Sequence, residues 1–259
     1  MAVIYTEIFS QSLMRTVPFC ALIPVEAGAP DAAGKSPASP AEPPFKTLYL
    51  LHGLYGSHTD WLTLTAIRRY AAEKRIAVIM PAGENSFYRD GTLPGRRYGS
   101  FIGEELVTLT RRLFPLSPKQ ADTVIAGLSM GGAGAVHTAC LYPHTFSAAA
   151  GLSSAFLRAA HLSNSHPVFT PKWAQHIFGS TESMEAAYKH TVQSLAASAD
   201  TVPYLYLECG TEDFLLDANR DFVRFLNGLG IPHEYGERNG GHDWLFWDTG
   251  IKKIIDRFF

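Results

Sequence analysis

Ala121-Asp122-Thr123-Val124-Ile125-Ala126-Gly127-Leu128-Ser129-Met130-Gly131-Gly132-Ala133-Gly134-Ala135 is the stretch on which the reading of the whole chain turns. A short apolar run, Thr123–Ala126, ends in G-x-S-x-G and passes directly into a run of small residues with helical character. A sharp strand-to-helix turn needs glycine where Cβ atoms would collide, and it lifts the serine hydroxyl above the edge of a sheet. The N-terminus of the helix behind it points backbone N–H groups at the same spot. Ser129 is therefore the candidate nucleophile, with a glycine-rich structural turn as the competing reading.

The flanking sequence supplies the sheet such a turn requires. Short apolar runs ending in turn residues recur at Thr47–Leu51, Ile76–Met80, Phe146–Gly151 and Tyr204–Leu207, and His233–Arg238 is strand-like. Helical patterns fall at Glu104–Phe114, Gly131–Leu141, Phe214–Leu229 and Leu245–Phe258. Apolar runs buried on both faces and separated by amphipathic helices predict an α/β fold: a mostly parallel sheet with helices on both faces. Two N-terminal strands, Val3–Phe9 and Leu13–Ile23, have no helix between them and predict an antiparallel start.

Two segments break this alternation. Residues 26–44 read EAGAPDAAGKSPASPAEPP, too poor in apolar side chains to offset the entropy of ordering, and are expected to form a flexible surface loop. Too few residues precede it to make a domain, so residues 1–259 are read as one domain. Residues 153–199, with four histidines and Trp173, are expected to form an excursion over the active-site edge of the sheet.

A serine at its ordinary pKa is a poor nucleophile and needs a base that a carboxylate holds in one tautomer. On this kind of sheet the order along the chain is Ser, acid, His, each in a loop after a strand. Only His233 and His242 lie beyond the plausible acid. His233 starts a strand, where the pleat fixes its side chain, whereas His242 sits in the glycine-hinged loop Asn239-Gly240-Gly241-His242-Asp243-Trp244 and is the better base. Asp213 follows the Tyr204–Leu207 strand and is the candidate acid, with Glu212 and Asp217 as competitors. Two N–H donors are needed for a tetrahedral oxyanion. Met130, after the nucleophile, is one. Leu54, in Leu51-His52-Gly53-Leu54-Tyr55-Gly56, is the other, with Gly53 as its alternative and His52 as a strut of that loop.

Trp61, Trp173, Trp244 and Trp247 are aromatic candidates for an apolar pocket, with Trp61 and Trp244 taken as the substrate-binding pair and core packing as the competing role. The 259 residues carry 22 Lys+Arg against 24 Asp+Glu, a formal charge of −2 that gives no footprint for nucleic acid or an acidic membrane. No apolar run approaches the ~20 residues of a membrane span. The N-terminus lacks a basic n-region, so a cytoplasmic location is expected. Cys20, Cys140 and Cys209 are too few and too scattered for a disulfide framework. H-E-x-x-H and C-x-x-C are absent, so neither a metal nor any other cofactor is expected. Self-association is left open.

Leu50-Leu51-His52-Gly53, Asp60-Trp61, Gly127-Leu-Ser129-Met-Gly131-Gly132, Gly210-Thr-Glu-Asp213-Phe and Gly241-His242-Asp243-Trp244-Leu-Phe-Trp247 together resemble the esterase D-like α/β-hydrolases. That group includes S-formylglutathione hydrolases, tributyrin esterases, feruloyl and acetylxylan esterases, and mycolyltransferases, and the chain looks most like the bacterial tributyrin esterases. The resemblance implies the α/β-hydrolase fold, Ser129, Asp213 and His242 as a catalytic triad, and backbone donors at Leu54 and Met130. The expected activity is hydrolysis of short-chain acyl esters, acetyl to butyryl, with a small-molecule ester as substrate. Carbohydrate acetyl or feruloyl ester cleavage, S-formylglutathione hydrolysis and acyl transfer are the alternatives on the same triad.

Overall fold

In the computed structural model, residues 1–25, 42–166, 168–197 and 203–259 are described, so most of the proline-rich loop expected at 26–44 lies outside the described residues. Eight strands join one sheet: β1 (Ala2–Ser10), β2 (Arg15–Ile23), β3 (Thr47–Leu51), β4 (Ala77–Pro81), β5 (Thr123–Leu128), β6 (Ala148–Leu152), β7 (Tyr204–Gly210) and β8 (His233–Arg238). Their order is β1-β2-β4-β3-β5-β6-β7-β8. β1 pairs antiparallel with β2, and β2 antiparallel with β4. From β4 to β8 every pairing is parallel.

The helices are α1 (Asp60–Leu64), α2 (Ile67–Lys74), α3 (Tyr98–Ser100), α4 (Leu106–Leu113), α5 (Met130–Leu141), α6 (Pro171–Phe178), α7 (Thr181–Ala197), α8 (Leu216–Gly228) and α9 (Trp244–Phe258), with a π-helical turn at Phe101–Glu105 joining α3 to α4. Alternation along each strand divides the core. Tyr49, Leu51 and Ile125 face the layer containing Leu106, Val136 and Phe222. Leu48, Leu50 and Val124 face the layer containing Trp61, Ile67 and Ile254. Both faces of the parallel strands are thus buried, which is why those strands read as unbroken apolar runs.

The boundaries move for local reasons. Ile76 is not in a strand, because its N–H closes the end of α2 on Ala71 O at 3.1 Å. Leu13 lies in the β1–β2 turn, where Met14 takes φ 50°. The helix expected from Phe214 starts at Leu216, because the Asp213 carboxylate accepts the Leu215 N–H at 2.8 Å. α1 and α2 were not anticipated: the first is barely more than one turn and contains Thr63, a poor helix former. No helix among the described residues is long and apolar enough to cross a membrane.

Candidate active site

The carboxyl ends of β5, β7 and β8 deliver the three expected catalytic side chains to one edge of the sheet, the edge where open α/β sheets bind ligands. Ser129 follows β5 with φ 51° and ψ −118°, a backbone conformation that costs energy for a residue with a Cβ. Its surroundings hold it there. The Ser129 N–H donates to Leu152 O at 2.8 Å, and Ser129 O accepts from the N–H groups of Gly132, Ala133 and Ala155 at 3.0–3.1 Å. The two flanking glycines are required by contact as well as by turn geometry. A Cβ on Gly127 would stand 2.4 Å from the Gly131 carbonyl, and one on Gly131 would stand 2.5 Å from Leu51 O.

The loops of the candidate acid and base are zipped together. Thr211 N–H donates to Arg238 O at 2.9 Å and Glu212 N–H to Gly240 O at 3.0 Å. Gly210 permits this closeness, since a Cβ there would meet Gly240 O at 2.1 Å. The result sets the Asp213 carboxylate against His242 Nδ1, at 2.9 Å to Oδ2 and 3.1 Å to Oδ1. The Asp213 side chain is fully buried and His242 is 17% exposed. A buried carboxylate on Nδ1 selects the tautomer with the proton there, leaving Nε2 able to accept one. Phe214 and Trp247 pack on the imidazole, with ring centroids 4.4 and 4.9 Å away. The Trp247 indole is in turn anchored by donating to Ser153 Oγ at 3.2 Å. Glu212 and Asp217 are exposed.

Ser129 and His242 line one cavity of about 350 Å³, together with Leu54, Phe169, Phe214 and Trp244. Met130 opens α5, so its N–H has no carbonyl one turn earlier within the helix to bond. Leu54 is the second residue of a turn closed by Gly56 N–H to Gly53 O at 3.2 Å. Neither N–H has a partner among the described residues. His52 stands behind the turn: Nε2 accepts the Gly83 N–H at 2.9 Å, so Nδ1 carries the proton and donates to Gly53 O at 2.7 Å. Burial lowers the His52 pKa below its ordinary value and keeps the ring neutral.

The two tryptophans expected to bind substrate divide. Trp244 lines the cavity, but Trp61 does not. Trp61 is 1% exposed, donates its indole N–H to Leu51 O at 3.0 Å, and meets Trp244 edge-on at 5.4 Å. Its place on the buried side of a one-turn helix makes it a support for the wall. Other wall residues were missed in the sequence: Val168 and Phe169 from the excursion, and Tyr55 and Phe214 beside the oxyanion loop and the acid. Adjacency to Asp213 was a usable signal for Phe214. Val168 and Phe169 sit in irregular chain held by His166 Nδ1, which accepts both of their N–H groups at 3.0 and 2.8 Å, and no periodicity marks them.

This sheet, with a serine at the sharp turn after β5 and a hydrogen-bonded aspartate and histidine after β7 and β8, defines an α/β-hydrolase. The family described as putative esterase matches residues 35–258, and the chain belongs to it. It is a carboxylic ester hydrolase. The acetyl esterase of Caldicellulosiruptor saccharolyticus is 34% identical over 99% of this chain and 97% of its own. Among solved structures, FphF, a fluorophosphonate-binding serine hydrolase of Staphylococcus aureus, is similar at 29% identity and TM-score 0.82, covering 99% of this chain and 98% of the other. The S-formylglutathione hydrolase FrmB of Staphylococcus aureus is similar at 30% identity and TM-score 0.81 with the same coverage.

Proposed function

We propose that the chain hydrolyses short-chain acyl esters, acetyl to butyryl, of neutral alcohols through a Ser129 acyl-enzyme. The observation that carries this reading is the Asp213–His242 pair at 2.9 Å, with His242 and Ser129 on the wall of one small apolar cavity. Ser129 Oγ attacks the ester carbonyl and His242 Nε2 takes its proton. The oxyanion is held by the N–H groups of Leu54 and Met130. His242 then protonates the leaving alcohol, and a water deprotonated by His242 releases the acid and regenerates Ser129. Asp213 keeps the imidazole in the useful tautomer and stabilises the imidazolium.

The wall supports a neutral substrate. Its described residues include no Lys or Arg, and its one carboxylate, Asp60, accepts the Ser57 N–H and hydroxyl at 2.9 and 3.0 Å. A thioester such as S-formylglutathione, which carries two carboxylates on its leaving group, would find no cation there. Simple glycerol esters such as tributyrin fit the neutral class. Deacetylation of carbohydrate is a second reading, favoured by the exposed rings of Tyr55 (69%) and Phe214 (53%) at the cavity rim, which offer stacking faces for a sugar.

Labelling with a fluorophosphonate probe followed by peptide mass spectrometry tests the assignment. Modification of Ser129, and loss of roughly 10⁴–10⁶ in kcat in Ser129→Ala with the fold retained, are expected. A label on another residue overturns it. Rates on nitrophenyl acetate, tributyrin, acetylated xylan and S-formylglutathione then rank the substrates.

A further inference from the structure

A second, smaller cavity of about 20 Å³ lies between α5, the chain after β6, and α7, and it shares no lining residue with the catalytic one. Most of its wall is apolar: Phe87, Phe156, Phe178, Met184, Tyr188 and Phe222. Into this wall comes one cation, Arg89. Its Nη2 donates to Thr191 Oγ1 at 2.7 Å, and no carboxylate among the described residues makes an ion pair with it. Thr191 is uncharged, and its hydroxyl also lies 2.9 Å from His137 Nδ1 and 3.3 Å from Ala187 O.

A guanidinium has five N–H donors, and a charge held in apolar surroundings without a counter-charge is costly. Burial alone pulls the Arg89 pKa down to about 10, still far above neutrality, so the group stays charged. His137 offers no second charge. Burial, then Arg89 and His190, hold its pKa well below the ordinary value. Among the described residues the Arg89 guanidinium therefore has no counter-charge, and beyond its bond to Thr191 it brings further N–H donors to the cavity. About 10–15 Å³ is enough for one water, so this cavity takes a single small species.

We infer that the Arg89 guanidinium, held in place by Thr191, forms a binding site for one small monovalent inorganic anion of the halide class, placed behind the catalytic elbow. Two wall residues connect the site to the elbow. Ala133 and Ala155 line the cavity, and both donate their N–H groups to Ser129 O, at 3.1 and 3.0 Å. A bound halide thus neutralises Arg89 and packs against the segments that hold Ser129 in its strained conformation. The inference is independent of the esterase chemistry, since its test reads binding and not turnover.

The experiment compares thermal unfolding in sodium chloride and sodium gluconate at one ionic strength, and locates bromide by anomalous scattering in crystals grown with that ion. Expected are a saturable rise of about 2–4 °C in chloride over gluconate, and bromide within hydrogen-bond reach of the Arg89 guanidinium. Arg89→Met removes the charge and should abolish both. Should that variant not fold, Arg89→Lys, which keeps the charge but loses the fork, should keep the halide response at about tenfold weaker affinity. A melting temperature indifferent to the anion, absence of bromide at Arg89, a halide response surviving in Arg89→Met, or undiminished affinity in Arg89→Lys would each overturn the inference.

Discussion

His52 and Gly53 are locked together by a hydrogen bond within a single residue step: the His52 Nδ1–H donates to Gly53 O at 2.7 Å while Nε2 holds the Gly83 N–H at 2.9 Å. The ring thereby ties the Leu54 turn to the chain after β4. His52→Phe keeps a ring in the space but has neither hydrogen bond. It should lower kcat on a short ester by about 10–100-fold with a smaller change in KM, because a donor displaced from the oxyanion weakens the transition state more than the bound ester. Steady-state kinetics on nitrophenyl acetate, with circular dichroism to verify folding, gives the answer. Unchanged kcat would remove His52 from any positioning role.

Asp213 carries a different load from its acidic neighbours. Asp213→Asn is expected to cost up to ~10⁴ in kcat, through the wrong tautomer of His242. Glu212→Gln and Asp217→Asn, at exposed positions, should stay within a few-fold of the parent. If the three variants lose activity equally, the acid has been misassigned.

Acidification should destabilise the fold before the carboxylates titrate. His52 and His137 have pKa values lowered by burial, below the ~6.5 of an unfolded histidine. As pH falls through 6.5, the unfolded chain takes up protons that the folded chain refuses. Stability is therefore fully present above that pH and declines below it, at a limiting slope of about 1.4 kcal/mol per pH unit for each ring. Urea unfolding at pH 7.5, 6.5 and 5.5 reads the slope, and His137→Gln should flatten it by up to one ring's share. A flat profile in the parent protein would contradict the buried neutral state of both rings.

Gly131→Ala should be among the most damaging single methyl additions in this chain. The new Cβ would stand 2.5 and 2.6 Å from the carbonyl oxygens of Leu51 and His52. Both are backbone atoms at the end of a central strand and cannot swing aside. A loss of about 3 kcal/mol or more is expected, at the upper end for overpacking. Gly228→Ala, with nothing within 4 Å of the added methyl, is the control and should be stabilised by helix propensity. Equal melting temperatures for the two variants would show that the elbow yields.

Phe169 should set chain length in the acyl pocket. Phe169→Ala widens the cavity wall and is expected to raise the ratio of kcat/KM for hexanoyl over acetyl ester by about tenfold, the order of one or two methylenes of binding. An unchanged ratio would place the acyl chain elsewhere in the cavity.

What the sequence made legible follows the range of the interaction involved. The elbow is local: Gly127, Ser129 and Gly131 lie within five residues, and the clash that requires Gly127 is with Gly131, although the one that requires Gly131 is with Leu51 on the adjacent strand. Asp213 and His242 were reachable because loops after parallel strands open at the same edge of the sheet. Trp61 was not, because an aromatic in a one-turn helix gives no period from which to tell the cavity side from the core side. Phe169 and the Arg89–Thr191 pair, 102 residues apart in the chain, depend on how α6 and α7 fold back. That placement is written in packing and in no spacing along the chain.

Everything the proposed chemistry needs is carried by the ends of β3, β5, β7 and β8, whereas Val168 and Phe169 reach the cavity from the long connection between β6 and β7. That connection contains none of the proposed triad and neither proposed oxyanion donor. A replacement of different length or composition, entering after Leu157 and returning before Tyr204, would leave the reaction machinery in register while presenting a new wall to the ester. The protein is divided, as a lathe is, into a fixed headstock and an exchangeable tool, and the exchange is made at one pair of joints.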